Sequence, residues 1–364
     1  AYGDVTLAVN TDGDELKVTS SKVNFCFDKK SGIVTSYKVN GTEYFNEGFG
    51  IQPNFWRAPT DNDYGNGQPK REQIWKQSSK NFHVTDATAT IKDGKAIVNV
   101  NYLLPAGNLY IITYTVYPSG VVNVAAHFTS TDMDAAKTEI SEATRMATFT
   151  PGQDAARLAS SKLNVPRIGV RFRLPESMDQ LQYFGRGPLE NYWDRKAGYP
   201  VDVYKSTAEA QYFPYVRPQE NGHHTDTRWM MLTAKKGKGL LIEADSLMEF
   251  NALRNSIEDF DAEEHPELAR QWTNFTPEEI ANHNEEAAKN VLRRQHHIND
   301  VTPQPFVEVC IDLKQQGVAG YDSWGDRPLP EHSLPANRDY QWGFTLIPVN
   351  HANGVESKLG YSYK

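Results

Sequence analysis

The chain has very few cysteines. Among its 364 residues only Cys26 and Cys310 are cysteines, which excludes a small scaffold held together by disulfides. Both lie in strand-like runs of alternating residues, so we predict buried free thiols, with a disulfide or a reactive thiol as the alternative. Two cysteines in a chain of this length leave the redox compartment open.

Basic runs and long apolar runs are also missing. The formal net charge is -8 and the pI is about 5.7, which argues against nucleic acid as a partner. No apolar stretch is long enough to span a bilayer, and no hydrophobic signal segment begins the chain, so no membrane partner is predicted. The beginning of the chain is interpreted as a cut inside a longer polypeptide or as a processed end.

Short motifs that mark common catalytic sites are absent as well. The sequence has no GxGxxG after a strand, no P-loop, no HExxH, no CxxC and no GxSxG. It also lacks the alternation of strands and helices that builds a (β/α)₈ barrel. No catalytic residue or metal ligand is therefore predicted from such motifs, and any catalytic claim has to rest on the loops.

The sequence does have a regular succession of strands and turns. Hydrophobic residues make up 39% and aromatic residues 11% of the chain, enough for a large core. Runs rich in β-branched and aromatic residues are separated by turn signals, for example Asn40 with Gly41 and Asp93 with Gly94, and residues 118–120 and 235–239. We predict an all-β fold, a large antiparallel β-sandwich with one or two short helices.

One segment has convincing helix signals, residues 276–294. Thr276 is a favourable N-cap residue, Pro277 follows at the first helical position, and Glu279 completes the spacing of a capping box. Arg293 and Arg294 lie at the far end, where the helix dipole favours cations. We therefore predict a helix over these residues.

Residues 182–230 combine aromatic, charged and turn-forming side chains at a density found nowhere else in the chain. Aromatic faces together with carboxylates, amides and guanidinium groups are suited to binding a sugar. Internal salt bridges that hold a long loop together are one alternative, and a general acid or base at Glu190 is another. The candidates for a cleft or a scaffold are Arg186, Glu190, Asn191, Asp194, Arg195, Arg217, Glu220 and Asn221.

Two further segments are interpreted as polar loops. Residues 55–67 contain Arg57, Asp61, Asn62 and Asp63. Three interpretations are open: these side chains form a network of Asx-turns, they contact a sugar in a cleft, or they bind a metal ion. The spacing of ligands in an EF-hand is absent. Residues 317–329 place Trp324 among glycines and polar residues. Its indole either folds back as a plug over the sandwich or serves as a stacking platform for a ligand.

Two pairs of adjacent histidines occur, His223 with His224 and His296 with His297. Neighbours on a strand point to opposite faces, so neither pair is a natural clamp for a metal ion. We predict that one member of each pair lies on the surface, and that a single histidine facing a cleft is the alternative.

Four segments, in this order, resemble a known family: FWRAPTDNDYG, YFGRGPLENYWDR, YVRPQENG and GVAGYDSWG. They are similar to the C-terminal domain of the lac-type β-galactosidases of glycoside hydrolase family 2. The resemblance implies a supersandwich like that of galactose mutarotase over residues 15–350. Residues 1–14 are then a linker from a preceding domain, and residues 351–364 a C-terminal tail.

The resemblance also implies a division of labour. In such enzymes the two catalytic glutamates lie on a separate barrel domain, so this chain alone is expected to be inactive, although the parent is a retaining glycosidase. The motif match assigns the substrate entrance to Trp324, with Asp322 and Ser323 beside it. Tyr321 stands where the family pattern often has Asp.

Cofactors and partners follow from the same resemblance. It implies no cofactor in this chain, since the family's Mg and Na ions lie on other domains. The implied partners are the barrel domain, β-galactoside sugars and further copies in a homo-oligomer. The compartment, bacterial cytoplasm or periplasm, stays open.

Two other functions stay open, a stand-alone carbohydrate-binding module and an enzyme like aldose 1-epimerase. Both predict a closed pocket walled by Arg57, Glu190 and Asn221. The β-galactosidase interpretation instead predicts a protruding loop around Trp324 and an apolar patch left bare by a missing partner domain.

Overall fold

A computed structural model of the chain describes residues 6–130, 164–261, 297–321 and 325–350. The predicted helix at residues 276–294, the site candidates Asp322, Ser323 and Trp324, and the predicted tail at residues 351–364 lie outside the described residues. None of the helices that the structure describes has the length and apolar character that a bilayer crossing requires.

The described residues are mostly β-strand, as predicted. The strands are β1 (Ala8–Asn10), β2 (Glu15–Thr19), β3 (Val23–Asp28), β4 (Ile33–Val39), β5 (Thr42–Glu43), β6 (Gln52–Asn54), β7 (His83–Lys92), β8 (Lys95–Leu103), β9 (Leu109–Val116), β10 (Val122–Phe128), β11 (Arg167–Pro175), β12 (Gln180–Arg186), β13 (Val201–Thr207), β14 (His224–Thr233), β15 (Gly239–Leu253), β16 (Phe306–Gln315) and β17 (Tyr340–Val349). The short helices are α1 (Asp61–Gly65), α2 (Gln68–Arg71), α3 (Gln73–Lys80) and α4 (Ile257–Phe260).

The strands form two antiparallel sheets. One sheet has five strands in the order β1-β2-β3-β4-β5, and the other has twelve, with β13-β12-β14-β15-β17-β10-β9-β8-β7 as its main path. The long strand β15 pairs with β17 through its first half and with β16 through its last five residues, and β16 in turn pairs with β11. The large sheet therefore divides at β15, and the branch made of β6, β11 and β16 turns away from the main path.

The smaller sheet packs on strands β8 and β9, near one end of the main path of the large sheet. Strand β8 buries Val98, Val100 and Tyr102 and leaves the alternate residues partly exposed, as expected for a strand with one face against a core. The ring of Phe25 on β3 lies 5.1 Å from that of Tyr114 on β9. Such aromatic contacts join the two sheets into one continuous hydrophobic core.

The branch of β11 and β16 is buried on both faces, which positions the site. One face carries apolar residues such as Val170 and Val309 in the core. The opposite face carries Arg167, Arg171 and Asp312, and all three are buried. Charged groups on a buried face need partners, so the loops that cover this face have to supply them.

Three turn predictions and the two thiols are confirmed. Asn40 and Gly41 join β4 to β5, and Asp93 and Gly94 join β7 to β8, each with φ in the left-handed region. Residues 235–238 lie between the paired strands β14 and β15. Both cysteines are free and buried.

The helices differ from the prediction. The described part of the chain has four short helices where one or two were expected, and the segment interpreted as a polar loop becomes helical at Asp61. The Thr60 hydroxyl accepts a hydrogen bond from the backbone N–H of Asp63, and the Asp63 carboxylate accepts one from the N–H of Thr60. This capping box starts α1, and its short Thr-x-x-Asp signal was overlooked.

The segment predicted to be a linker, residues 1–14, contributes a strand to the smaller sheet. Leu7 is buried in the core, and Ala8–Asn10 pairs with β2. At least this part of the segment belongs to the folded sheet, because an edge strand gains its hydrogen bonds only by pairing.

Candidate functional site

Arg57 lies at the centre of the covering loops and is fully buried. Its Nε and Nη2 donate to the two carboxylate oxygens of Asp63 at 2.9 and 2.8 Å. Its Nη1 donates to the backbone oxygen of Gln316 at 2.7 Å, and its Nη2 also donates to that of Gly317 at 3.1 Å. Burial alone would lower the pKa of Arg57, but the carboxylates of Asp63, Glu220 and Glu72 together outweigh burial and the pKa is raised.

Asp194 holds the next residues of the same segment. Its carboxylate accepts hydrogen bonds from the backbone N–H groups of Val318 and Ala319 at 2.9 and 2.8 Å. Asn62 on α1 donates from its side-chain amide to the oxygen of Val318 at 3.1 Å. A Cβ on Gly317 would lie 2.4 Å from the Asp194 carboxylate, so only glycine fits there.

The C-terminal side of the loop at residues 316–326 is held by the residue that follows α1. The side-chain amide of that residue, Asn66, donates to the backbone oxygen of Asp326 at 3.0 Å. Residues 316–319 and Asp326 therefore form an anchored loop base, and residues 322–324 lie between them in the sequence. Three of the four motif segments in the sequence, those with Arg57, with Asp194 and with Gly317, meet at this loop base.

A second buried network lies on the polar face of β11 and β16. Arg167 donates from Nη2 to Asp312 at 2.6 Å and to the side-chain oxygen of Asn251 at 2.8 Å. Burial raises the pKa of Asp312 to about 6, although Arg167 acts to lower it. The Glu220 carboxylate lies 3.8 Å from the Arg167 guanidinium, so this network reaches the loop at residues 217–223.

His223 is part of this network. Its Nδ1 lies 2.7 Å from the Asn251 oxygen and its Nε2 lies 2.7 Å from the Glu249 carboxylate. The amide nitrogen of Asn251 donates to Glu220, which fixes the oxygen toward His223. Both ring nitrogens thus face acceptors, which favours the imidazolium. Burial would lower the pKa of His223, but the carboxylates of Glu249 and Asp312 together outweigh burial and the pKa is raised.

The prediction that one member of this histidine pair lies on the surface is wrong. His223 and His224 are both fully buried, because loops cover the face of β14 that would otherwise be open to solvent. The His224 ring stacks on Phe250 with 5.0 Å between centroids, and its Nδ1 lies 3.0 Å from the backbone oxygen of Arg186. Burial lowers the pKa of His224 to about 3. In the other pair, His296 lies outside the described residues.

Glu190, Asn191 and Arg195 form a third group in the loop after β12. Glu190 accepts from Arg195 at 2.7 Å, from the backbone N–H of Gly222 at 2.8 Å, and from the Tyr215 hydroxyl. Asn191 donates to the Arg186 oxygen at 3.0 Å and accepts from the Thr225 N–H at 3.0 Å. A carboxylate with this many donors is a structural group and is poorly placed for proton transfer.

The remaining candidates lie toward the surface. Gln219 exchanges two hydrogen bonds of 3.0 Å with Asp61, one of them with its backbone N–H. The guanidinium of Arg217 lies 3.8 Å from the Asp61 carboxylate and 4.0 Å from the ring centroid of Tyr64. Arg186 pairs with Asp226 at 2.5 Å. These contacts fit the alternative that internal salt bridges hold the long loops together.

The three side chains predicted to wall a closed pocket for the two alternative functions all make internal contacts. Arg57, Glu190 and Asn221 are buried, and each is engaged by its own chain. A cavity of about 20 Å³ beside Arg167, Glu220 and Asn251 has room for a water molecule and is too small for a sugar. Among the residues that the structure describes, no group of three or more His, Cys, Asp or Glu side chains is arranged to hold a metal ion.

Several important residues were not found from the sequence. They are Arg167, Glu249, Asn251 and Asp312 of the buried network, and Gln219, which ties the loop to α1. The alternation of charged and apolar residues in β11 was visible, but it is equally typical of a strand with one face in solvent. Only the covering loops turn that face into a buried network.

The comparisons with known proteins agree with this architecture. The family model described as beta galactosidase small chain matches residues 19–346. The chain therefore belongs to the beta-galactosidase small chain family.

Individual relatives are larger than this chain. A beta-galactosidase from Priestia megaterium is 32% identical over 345 residues, which are 94% of this chain and 27% of the relative. One from Lactobacillus delbrueckii subsp. bulgaricus is 27% identical, covering 92% of this chain and 27% of the relative. The chain thus spans about a quarter of the length of these curated relatives.

Solved structures with a similar outline are distant in sequence. A galactose mutarotase related enzyme from Lactobacillus acidophilus aligns with a TM-score of 0.42 at 8% identity, covering 92% of this chain and 97% of that chain. A putative aldose 1-epimerase from Escherichia coli K12 aligns with a TM-score of 0.37 at 8% identity, covering 95% and 99%.

Proposed function

We propose that this chain is the C-terminal part of a β-galactosidase that hydrolyses terminal β-galactosides. In this proposal the chain supports a catalytic barrel that lies elsewhere in the enzyme, and its Trp324, with Asp322 and Ser323, reaches the substrate entrance. Two findings support this division of labour between the chain and the barrel. The chain belongs to the family, and it spans only about a quarter of the length of its relatives.

The observation that carries the proposal is the anchored loop base. Arg57, Asn62 and Asp194 come from two distant segments and hold five backbone groups of the four successive residues 316–319. The charged side chains of Arg57 and Asp194 thus hold the backbone of residues 316–319, and these four residues carry no catalytic group. A rigid base gives the residues beyond it a defined position, which a residue at an active site needs.

The buried carboxylates support the second half of the division. Retaining hydrolysis of a glycoside needs two carboxyl groups about 5 Å apart across the scissile bond, with one of them free to donate a proton. Glu190 is engaged by Arg195, Glu249 by His223, and Glu220 by Asn251, so none of the three faces a substrate. We propose that the catalytic carboxylates and the metal ions of the enzyme lie on its other domains, and that the enzyme is a homo-oligomer.

The test is hydrolysis of lactose by the complete enzyme carrying Trp324→Ala, with Trp324→Phe as the matched variant. Loss of a stacking contact in Trp324→Ala is expected to raise KM and to lower kcat/KM by about tenfold. Trp324→Phe keeps an aromatic ring and should recover part of the lost kcat/KM. The isolated 364-residue chain should not hydrolyse lactose.

Three results would contradict the proposal. Enzyme-like hydrolysis by the isolated chain would give it a catalytic site of its own. Calorimetric binding of galactose that survives Trp324→Ala would favour a carbohydrate-binding module. Faster mutarotation of fresh α-galactose than in buffer would favour an aldose 1-epimerase.

A further inference from the structure

Strands β8 and β9 carry no charged side chain on the middle of their outer surface. Their inward residues, such as Val98 and Tyr114, are buried in the core, and every second residue from Ile97 to Leu103 and from Leu109 to Thr115 faces away from it. We call these eight outward side chains the neutral sheet face. Four are aliphatic, two are amides and two are hydroxyls, and all are at least partly exposed. Charged residues make up 23% of the chain and are usual on an open strand face, so their absence here is unusual.

The polar side chains of the face are already paired with one another. Thr113 donates from its hydroxyl to the side-chain oxygen of Asn99 at 2.8 Å, and Asn99 donates from its amide nitrogen to the side-chain oxygen of Asn101 at 3.3 Å. Burying polar groups that keep such bonds is far less unfavourable than burying unpaired ones. The face can therefore be removed from water easily, which a contact surface requires.

The two ends of the face differ. Leu103 and Leu109 are register partners at one end and are 42% and 37% exposed, so apolar surface collects there. At the other end the ammonium of Lys95 lies 5.0 Å from the ring centroid of Tyr117. The apolar end is the part of the face that gains most from being covered.

Titratable groups border the face without entering it. Asp86 of β7 is the register partner of Asn101, and His127 of β10 is the register partner of Ile111. His127 also lies 3.0 Å from the carboxylate of Asp339. An uncharged centre with titratable groups at the rim is the composition of a protein–protein interface.

Other classes of ligand fit this face poorly. None of its eight side chains is aromatic, so a sugar finds no ring to stack on. None is cationic, so phosphates and nucleic acids find no counter-charge. A protein surface of similar character is the partner that its chemistry favours.

The register of β8 and β9 makes the face complementary to itself. A two-fold axis parallel to the strands, between β8 and β9, sets each residue of β8 against the residue of the partner's β9 that is its own register partner. Leu103 then faces the partner's Leu109, so leucine meets leucine. Asp86 faces the partner's His127, which brings an acid to a base at the rim.

Sheet geometry and net charge agree with this arrangement. An axis along the strands keeps the strands of the two copies aligned, which is a usual geometry for two sheets packed face to face about 10 Å apart. Each copy has a formal net charge of -8, so two copies repel one another in most orientations. A face without charge is where they approach with the least repulsion.

We propose that two copies of this chain associate through the neutral sheet face, sheet on sheet, about a two-fold axis between β8 and β9. The homo-oligomer of the proposed function thereby gains a defined surface, and the proposal rests on that part of the function alone. It needs no contact with a catalytic barrel, because every residue concerned lies on strands β7 to β10.

Sedimentation equilibrium of the 364-residue chain tests the proposal. We expect the average mass to rise from 41.1 kDa toward twice that value as the concentration increases. A range of about 1 to 100 μM suits an interface of this modest size. Leu103→Ala with Leu109→Ala should weaken the association about tenfold, because these two side chains supply the apolar end.

A pair of charged variants, Asn99→Lys and Thr113→Glu, tests the position of the axis. Each variant alone sets a charge against a neutral side chain of the partner, and we expect it to weaken self-association at least about tenfold. In a mixture of the two variants, the new ammonium of one copy faces the new carboxylate of the other. Mixed dimers should then form with an affinity within about threefold of the wild type. A variant that fails to fold would not be rescued by mixing.

Ser246→Glu is the matched control. Ser246 is an exposed residue of β15 and lies outside the face, so this variant adds the same charge without touching the contact. It should associate as the wild type does, and weakening as large as that of Thr113→Glu would contradict the proposal.

Three other results would overturn the proposal. A chain that stays at 41.1 kDa over the whole range of concentration would have no such interface. A dimer that Asn99→Lys and Thr113→Glu leave intact would use another surface. A dimer that both variants weaken and their mixture does not restore would lack the two-fold arrangement.

This outcome is separate from that of the proposed function. Hydrolysis of lactose by the isolated chain would reject the proposed function and leave the dimer in place. A complete enzyme that stays oligomeric with Thr113→Glu, while the isolated wild-type chain is monomeric, would keep the homo-oligomer and reject this surface.

Discussion

Arg57 and Asp63 form a buried ion pair in which two parallel hydrogen bonds of 2.9 and 2.8 Å join guanidinium and carboxylate. The two residues are only six positions apart in the sequence. The pair is buried where the segment at residues 316 and 317 packs over it, and Arg57 also donates hydrogen bonds to the backbone of that segment. The pair connects the start of α1 to the loop base, and its geometry suits arginine and no other side chain.

Replacement of Arg57 should therefore be severe even when the charge is kept. Arg57→Lys removes the fork and leaves buried acceptors unpaired, and we expect a loss of about 3 kcal/mol in the free energy of unfolding. The measurement is chemical denaturation. Lys30→Ala, which breaks a surface pair with Asp14, is the control and should leave the midpoint unchanged. Equal midpoints for Arg57→Lys and the wild type would refute the structural role of the pair.

Gly317→Ala tests the close approach of the loop base to Asp194. The added methyl would lie 2.4 Å from the carboxylate, so either the loop or the carboxylate has to move. We expect a loss of about 1–3 kcal/mol in stability and a raised KM for lactose in the complete enzyme. Gly198→Ala is a matched control because its methyl would meet nothing within 4 Å. If the two variants behave alike, the close contact is unimportant.

His224 should make the chain less stable in acid. Its pKa is lowered to about 3 by burial, against 6.5 in the unfolded chain. Between these two values the unfolded chain takes up a proton that the folded chain excludes, so stability falls as the pH drops below 6.5. The slope for one proton is about 1.4 kcal/mol per pH unit. His224→Phe, measured by denaturation between pH 7 and pH 4.5, should show a shallower loss than the wild type, and an equal slope would argue against a buried neutral ring.

His223 should have the opposite dependence. Burial acts to lower its pKa, but the hydrogen bond to Glu249 and the negative charges of Glu249 and Asp312 together outweigh burial, so the pKa is raised above 6.5 in the folded chain. The stability it contributes is fully present below pH 6.5 and is lost as the pH rises through the raised value.

The test compares the wild type with His223→Gln. The difference in unfolding free energy should be largest near pH 6 and should shrink in alkaline solution. Glu249→Gln removes the anionic partner and should flatten this trend. A difference that stays constant with pH would mean that His223 is buried as a neutral ring.

The local pattern of the chain was enough to predict its strands. Val98, Val100 and Tyr102 alternate with polar residues, and a period of two in β-branched and aromatic residues needs no distant partner to be recognised. Turn residues such as Asn40 and Gly41 were equally local, because the left-handed backbone that they favour is a property of the residues themselves. The family was predicted from four short segments in order, and the family model confirms it.

Only the tertiary structure decided what the polar residues do. Arg167 and Asp312 lie on paired strands but 145 positions apart, and Arg57 reaches a backbone oxygen 259 positions away. In the sequence, the charged residues of β11 look like a solvent-facing row, and His223 with His224 looks like a half-exposed pair. Whether such a face is in water depends on loops from elsewhere in the chain, and burial then selects the partner, the protonation state and the conformation of each charged group.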